Sequence, residues 1–301
     1  MNVISIGNFD GVHLGHRSLV QRARELAGNG RVIAVTFEPH PTAVLRPESP
    51  LQRLSDPLTR RSLLVDAGVD DVRELAPEPE LLGSTAEGFI QRLQGELSFD
   101  WIVEGADFRF ARGRSAGIEE LRAIGARSGF GVDVVEDRIV ELEDRSRARV
   151  CSTLVRWLLA RGRVVDAARA LGRPYRLEGP VVSGDKRGRT IGFPTANLDH
   201  GVQLLPADGV YGGLAILPDG SRSAAAVSVG RKPTFGRHER IAEVHLIGHD
   251  GPVDDYGWHL QVELLRWLRE QYRFESVEDL LRRITLDCAE AQRTLQEQTP
   301  R

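Results

Sequence analysis

Two histidines, His13 and His16, stand near the start of the chain in a stretch that could hold phosphate. The stretch covers residues 7–16 and reads Gly-Asn-Phe-Asp-Gly-Val-His-Leu-Gly-His, between an apolar run over 3–6 and an amphipathic run over 17–27. This pattern predicts a strand, a glycine-rich turn and a helix. Glycines let the backbone approach a ligand, and the first N–H groups of the helix attract an anion. The histidines add side-chain donors, so phosphate is the expected ligand.

The spacing fits neither of the common phosphate-binding patterns, G-x-G-x-x-G and G-x-x-x-x-G-K-[ST]. It resembles instead the HxGH signature of nucleotidylyltransferases, with a tight turn carrying surface histidines as the alternative. The whole ten-residue string resembles the N-terminal signature of the bacterial bifunctional riboflavin kinase/FAD synthetase family. This resemblance implies that the histidines contact the phosphates of ATP and steady the departing pyrophosphate. The implied site comprises Gly7, Phe9, Asp10, His13, Gly15 and His16.

Two further segments of the first half resemble motifs of the same family. Residues 107–110 read D-F-R-F and resemble its D-F-R-F-G segment, with Ala111 in place of the glycine. Residues 149–156 resemble its S-S-T-x-x-R motif, with Cys151 in place of the first serine. A solvated charged loop and an ordinary helix cap are the alternatives. The resemblance implies that both segments bind ATP, through Asp107, Arg149, Ser152, Thr153 and Arg156.

His40 lies between two prolines, directly behind a predicted strand over 31–37. Ligands of open parallel sheets bind at the carboxyl ends of the strands. His40 is therefore a candidate site residue, and a surface loop histidine is the alternative.

The second half contains a glycine-rich basic loop over 184–192 that leads into Phe-Pro-Thr-Ala-Asn. Such a loop could hold a nucleotide and its Mg²⁺, because Mg²⁺ prefers oxygen ligands and takes few of them from protein. A plain basic hairpin is the alternative. The string 194–197 matches the P-T-A-N motif of riboflavin kinases, and the resemblance implies that Thr195 and Asn197 bind the metal. The implied nucleotide and flavin site comprises Gly184, Lys186, Gly188, Gly192, Pro194, Thr195 and Asn197.

Several later strings follow the order of the riboflavin kinases, namely those at 208–211, 229–236, 243–246 and 256–257. Residues 262–264 align with a V-E-F strand of the family, and this alignment implies that Glu263 is the general base. A carboxylate can take a proton from a primary hydroxyl during phosphoryl transfer. A surface carboxylate on a barrel strand is the alternative.

The patterns of the two halves predict two different folds. Strands alternate with helices up to residue 171, which favours a Rossmann-like parallel sheet with right-handed crossovers. Five strand patterns over 176–265 favour a closed antiparallel barrel. A final helix from 276 carries an apolar face that should pack on the barrel with Cys288 in the core. We expect domains at 1–171 and 172–301.

Composition excludes several classes of protein. The 301 residues carry a net charge of −3, so no general affinity for nucleic acid or anionic membranes is expected. No apolar run approaches the length of a membrane span and no leader pattern precedes the first strand, which favours a cytoplasmic protein. Cys151 and Cys288 lie far apart, so a structural disulfide is not expected. Self-association is left open.

The function that the resemblance implies has two steps that both use ATP and Mg²⁺. Riboflavin would be phosphorylated to FMN, and FMN would be adenylylated to FAD with release of pyrophosphate. One alternative is a riboflavin kinase with a degenerate first half, because Cys151 and the stretch 75–81 depart from the family pattern. The other alternative is a flavin-binding protein without catalysis.

Overall fold

The computed structural model describes residues 1–49, 51–184, 187–231, 240–249 and 256–298. The chain forms two compact units. The sheet unit comprises Met1–Val140 and Ala148–Ser152, and the barrel unit comprises Glu141–Arg147 and Thr153–Arg301. The predicted domain boundary between 171 and 172 stays a prediction.

Five parallel strands form the centre of the sheet unit, in the order β3-β2-β1-β4-β5. They are β1 (Val3–Ile6), β2 (Val32–Phe37), β3 (Asp71–Leu75), β4 (Trp101–Gly105) and β5 (Gly131–Val135). The strands β1 and β2 are largely apolar and buried, since parallel sheets are covered on both faces. The predicted parallel sheet is thus confirmed.

Six helices accompany these strands: α1 (Leu14–Ala27), α2 (Pro41–Leu45), α3 (Pro57–Asp66), α4 (Pro79–Leu82), α5 (Ala86–Glu96) and α6 (Ile118–Ser128). Asp56 caps α3 by accepting the N–H groups of Leu58 and Thr59. Thr85 caps α5 in the same way through Gly88. The short helices α2 and α4 were not predicted, because four or five residues carry no apolar periodicity.

A small two-stranded sheet follows, made of β6 (Ile139–Glu141) and β7 (Arg147–Arg149), which sequence patterns did not reveal. Next come α7 (Ser152–Leu159) and α8 (Val164–Leu171). The end of α8 is marked by Gly172, whose φ of 73° is left-handed.

A closed six-stranded barrel forms the second unit, in the order β10-β11-β12-β9-β8-β13. Its strands are β8 (Tyr175–Val182), β9 (Ala196–Leu198), β10 (Gly209–Ile216), β11 (Arg222–Arg231), β12 (Arg240–Leu246) and β13 (His259–Arg269). All the pairings are antiparallel. The predicted barrel is confirmed. The three-residue strand β9 and the helix α9 (Arg187–Thr190) were missed because both are too short to show a period.

The last helix, α10 (Val277–Gln298), packs on the barrel as predicted. Ala291 lies against Gly212 of β10, and Asp287 binds Arg269 of β13. Cys288 is buried, and burial raises the pKa of its thiol to about 11. Among the described residues, no helix has the length and apolar character needed to cross a bilayer.

Candidate functional site

Buried side chains fix the backbone conformation of the turn that follows β1. Gly7 continues the sheet by donating its N–H to the carbonyl of Val35 at 2.9 Å. Phe9, Gly11 and Val12 all have positive φ, at 48°, 77° and 39°. Non-glycine residues in that region are strained, and such strain persists where the surroundings over-determine it. Phe9 is fully buried, so packing holds the turn in the shape that starts α1 at the carboxyl edge of the sheet.

His13 and His16 form one unit at the start of α1. His13 is the N-cap, and its Nδ1 accepts the N–H of His16 at 3.3 Å, which places the ring proton of a neutral His13 on Nε2. The two rings stack with centroids 3.6 Å apart. A Cβ at Gly15 would lie 3.2 Å from the His13 ring, so glycine suits this close packing.

The surroundings of His16 favour its uncharged form in the free protein. Burial, and then repulsion by His13, hold the pKa of His16 well below its ordinary value of 6.5. Its Nδ1 is buried and has no hydrogen-bond partner among the described residues. An unpaired buried nitrogen costs free energy unless a ligand satisfies it. The histidine pair is therefore arranged for a bound group.

A cavity of about 670 Å³ opens in front of this turn. That volume lies within the usual range for sites that bind small molecules. Eight of the predicted site residues line it, which are Gly7, Phe9, His13, Gly15, His16, Asp107, Arg149 and Ser152. The structure thus brings together three segments that are far apart in the sequence, because all of them follow strands or begin helices at one edge of the parallel sheet.

Asp10 is placed differently from the other predicted phosphate ligands. Its buried carboxylate accepts the N–H of Leu54 at 2.9 Å and of Ser55 at 3.3 Å. Its carbonyl accepts the hydroxyl of Ser152 at 3.2 Å. Asp10 therefore ties the turn to the segment before α3 and to the start of α7. Its role in ATP binding stays a prediction.

Arg149 joins two of the predicted segments electrostatically. Its guanidinium lies 2.8 Å from Asp107 and 3.3 Å from Asp137, and these carboxylates raise the pKa of Arg149. Thr153 and Arg156 follow Ser152 along α7 and belong to the barrel unit. Their contacts with phosphate also stay predictions.

Two cavity residues, Asn8 and Glu104, were missed by the sequence reasoning, and the candidate His40 lies with them. Asn8 lines the cavity, and its Oδ1 is buried without a hydrogen-bond partner among the described residues. His40, the candidate behind β2, also lines the cavity, and it caps α2 by accepting the N–H of Thr42 at 3.2 Å. Glu104 is a buried carboxyl group at the end of β4. The available signal for Glu104 was an acidic residue inside the apolar run 101–105.

The P-T-A-N segment forms a tight cluster in the barrel unit. Asn197 packs so closely on Gly184 that a Cβ there would lie 2.0 Å from its Nδ2. A Cβ at Gly188 would lie 2.2 Å from the carbonyl of Phe193 and 3.5 Å from the Thr195 hydroxyl. Gly192 has a φ of 86°, and the Pro194 carbonyl lies 2.8 Å from His245 Nδ1. Lys186 and the string 232–236 lie outside the described residues.

The strand register of the barrel places the carboxylates of Glu243 and Glu263 beside different residues. Asn197 of β9 pairs with Glu243 of β12 on one side and with Val182 of β8 on the other. Glu263 pairs instead with Arg176, whose Nη2 lies 2.8 Å from Glu263 Oε1. Arg176 and Val182 are six residues apart on β8, or about 20 Å at 3.3 Å per residue. Glu243 thus lies beside the P-T-A-N segment, and the predicted role of Glu263 stays a prediction.

The comparisons with known proteins cover both halves. Residues 1–153 match the family model described as FAD synthetase, and residues 171–295 match the one described as riboflavin kinase. The chain is 35% identical over 290 residues to the bifunctional riboflavin kinase/FMN adenylyltransferase of Escherichia coli K12, covering 95% of this chain and 90% of the relative. It is 36% identical over 294 residues to the protein of the same name from Pseudomonas fluorescens, covering 96% and 91%.

One solved structure matches along almost the whole chain. It is described as a macrolide-efflux protein from Streptococcus pneumoniae and has 30% sequence identity and a TM-score of 0.86. The match covers 97% of this chain and 93% of that one. Together with the matches of both halves, these relatives establish that the chain belongs to the family of bifunctional riboflavin kinase/FMN adenylyltransferases.

Proposed function

We propose that this chain phosphorylates riboflavin to FMN and then adenylylates FMN to FAD, using ATP in both steps. The observation that carries the proposal is the cavity of the sheet unit, where paired histidines, Asp107, Arg149 and Ser152 surround one volume. The identity of the substrates is inferred from family membership. The residues of the cavity are of types that suit the binding of phosphates.

In the adenylylation step, a phosphate oxygen of FMN attacks the α-phosphorus of ATP and the bond to the β-phosphate breaks. Negative charge then grows on the departing pyrophosphate. His13, His16 and the first N–H groups of α1 stabilise this charge, aided by Ser152 at the start of α7. No protein nucleophile is required, so positioning and electrostatics supply most of the rate enhancement.

In the kinase step, a carboxylate takes the proton of the riboflavin 5′-hydroxyl as the hydroxyl oxygen attacks the γ-phosphorus of ATP. The bond from the γ-phosphorus to the bridging oxygen breaks, and ADP leaves with that oxygen. We assign this role to Glu243 rather than Glu263, because Glu243 lies opposite Asn197 and Glu263 is engaged by Arg176. A general base must lie within hydrogen-bond reach of its proton.

Thr195 and Asn197 are the residues that would hold Mg²⁺ in the barrel unit. Their hydroxyl and amide oxygens fit a hard cation that takes few ligands from protein. The metal would neutralise charge on the transferred phosphoryl group.

We also propose that both reactions take place in the cytoplasm, where a reduced thiol such as that of Cys288 persists. The net charge of −3 gives no general attraction to nucleic acid or anionic membranes. Neither is expected as a partner, and self-association is left to measurement.

The test is an incubation of the pure protein with riboflavin, ATP and Mg²⁺, resolved by chromatography. Accumulation of FAD is the expected result, and EDTA should abolish it. FMN as the final product would restrict the activity to the barrel unit. The absence of both products would contradict the proposal altogether.

A further inference from the structure

Glu104 is a buried acidic residue whose place in the sheet unit is unusual. It lies on β4 next to the central strand β1, is 2% exposed, and lines the cavity. The pairing between these strands comprises only Val3 with Trp101 and Ile4 with Ile102. Beyond that point the Glu104 side chain replaces a backbone acceptor, because its Oε1 accepts the N–H of Ile6 at 2.5 Å.

The charges around Glu104 disfavour the ionised form of its side chain. Asp107 and Asp137, which also line the cavity, both pair with Arg149. Glu104 has no such cation in the part of the chain that the structure describes. An ionised carboxylate buried without a counter-ion is costly, and this cost favours the protonated acid. Burial, helped by the nearby negative charge of Asp107, raises the pKa of Glu104 well above its ordinary value.

The hydrogen bond to Ile6 then fixes the position of that proton. A protonated carboxyl group has one carbonyl oxygen and one hydroxyl oxygen. Oε1 is the acceptor for Ile6, so the hydroxyl is at Oε2, which has no protein partner among the described residues. A neutral donor is also compatible with the phosphates of ATP and FMN, whereas a carboxylate would repel them.

We propose that Glu104 is a nucleotide-binding residue that acts as an uncharged carboxylic acid, with Oε2–H donating a hydrogen bond to an oxygen atom of the bound nucleotide. This inference rests on the proposed function of the cavity. The titratable and charged groups on the other elements that line the cavity are His13, His16, His40, Asp107, Arg109, Arg114, Glu136, Asp137, Arg138, Arg149 and Cys151.

Two variants test whether Glu104 acts through its hydrogen bonds as an uncharged group. Glu104→Gln keeps an acceptor for Ile6 and a neutral donor for the cavity, and it can never ionise. We expect its KM values for ATP and FMN in FAD formation to stay within about threefold of wild type. Glu104→Leu removes both hydrogen bonds. We expect it to raise one of the two KM values roughly tenfold, about what one hydrogen bond to a bound ligand contributes. The affected KM identifies which nucleotide receives the bond.

A spectroscopic measurement reads the protonation directly. The infrared difference spectrum of wild type minus Glu104→Gln at neutral pH should contain the carbonyl band of a protonated carboxylic acid. Carboxylate bands in its place would overturn the proposal, as would a Glu104→Gln variant that loses FAD formation as strongly as Glu104→Leu.

Riboflavin phosphorylation by the same preparations controls for folding, since Glu104 lies in the other unit. Both variants should keep it. If the wild-type protein itself forms no FAD, the proposed function of the cavity fails. If wild type forms FAD and only the Gln variant does not, the inference on Glu104 fails alone.

Discussion

The sheet unit and the barrel unit carry motifs of similar length, yet the two folds assemble them by different rules. All strands of the sheet run parallel, so the loops behind them open at one edge, and His16, Asp107 and Ser152 meet there. Neighbouring strands of the barrel run antiparallel, so their register decides which side chains meet. Asn197 lies opposite Glu243, and Glu263 lies opposite Arg176. Motif order alone therefore locates a site in a parallel sheet, but a barrel site requires the pairing of its strands.

The largest effect should come from the two carboxylates of the barrel unit. Glu243→Gln should slow FMN formation by about 10²–10⁴-fold, the usual contribution of a general base. Glu263→Gln, the matched control, should change it by only a few-fold. The measurement is the rate of FMN formation from riboflavin and ATP, with FAD formation from added FMN as the control. The opposite ranking would restore Glu263 and contradict the argument from register.

A variant of the histidine pair tests whether the segments that meet at the edge of the parallel sheet form the phosphate site. His16→Ala should slow FAD formation from FMN by about 10²–10³-fold, because it removes one donor from the departing pyrophosphate. His245→Ala in the barrel unit is the control and should leave this step unchanged. Rapid FAD formation by the His16 variant would mean that the cavity does not hold the phosphates as proposed.

Two glycine variants compare how tightly each site is packed. Gly184→Ala places a methyl group 2.0 Å from Asn197 Nδ2 and should displace that side chain. A shift of about 1 Å can cost 10²-fold in rate, so we expect a loss of FMN formation of about that size. At Gly15→Ala the contact with the His13 ring would be 3.2 Å, and FAD formation should fall only a few-fold. Equal losses would show that the two sites do not differ in packing.

The smallest effect concerns stability rather than catalysis. Arg60 is buried in the sheet unit and donates to the carbonyl of Phe37 at 3.2 Å and to Glu38 at 3.0 Å. Arg60→Met removes the donor to the Phe37 carbonyl and leaves Glu38 with Arg53 alone, so it should destabilise the sheet unit by about 1–3 kcal/mol. Hydrogen exchange measured by mass spectrometry should accelerate in β2 and β3 but not in the barrel.

Asp287→Asn provides the matched variant in the barrel unit, because the buried Asp287 binds Arg269 at 2.8 Å and Arg283 at 2.9 Å. It should accelerate exchange in β13 and α10 and leave the sheet unit unchanged. If either variant accelerates hydrogen exchange equally in both units, a substitution in one unit also destabilises the other, and the prediction is contradicted.

Much of the fold followed from local patterns. The first two strands, the first helix and the start of the last helix were predicted within a few residues, because apolar periodicity acts over short distances. Short elements such as α2 and β9 were missed, since five and three residues contain too little of a period. The Asp10 carboxylate shows the same limit, because its partners lie at 54 and 55, far along the chain.

The sequence by itself determined the two fold classes, the family and the segments that carry chemistry, since strings such as 7–16 and 194–197 need no distant partner to be recognised. Only the tertiary structure decided which side chains share a site. It paired Glu243 with Asn197, engaged Glu263 with Arg176 and buried Glu104 against Ile6. Each of these outcomes depends on strand register or burial, which arise from contacts between residues that are remote in the chain.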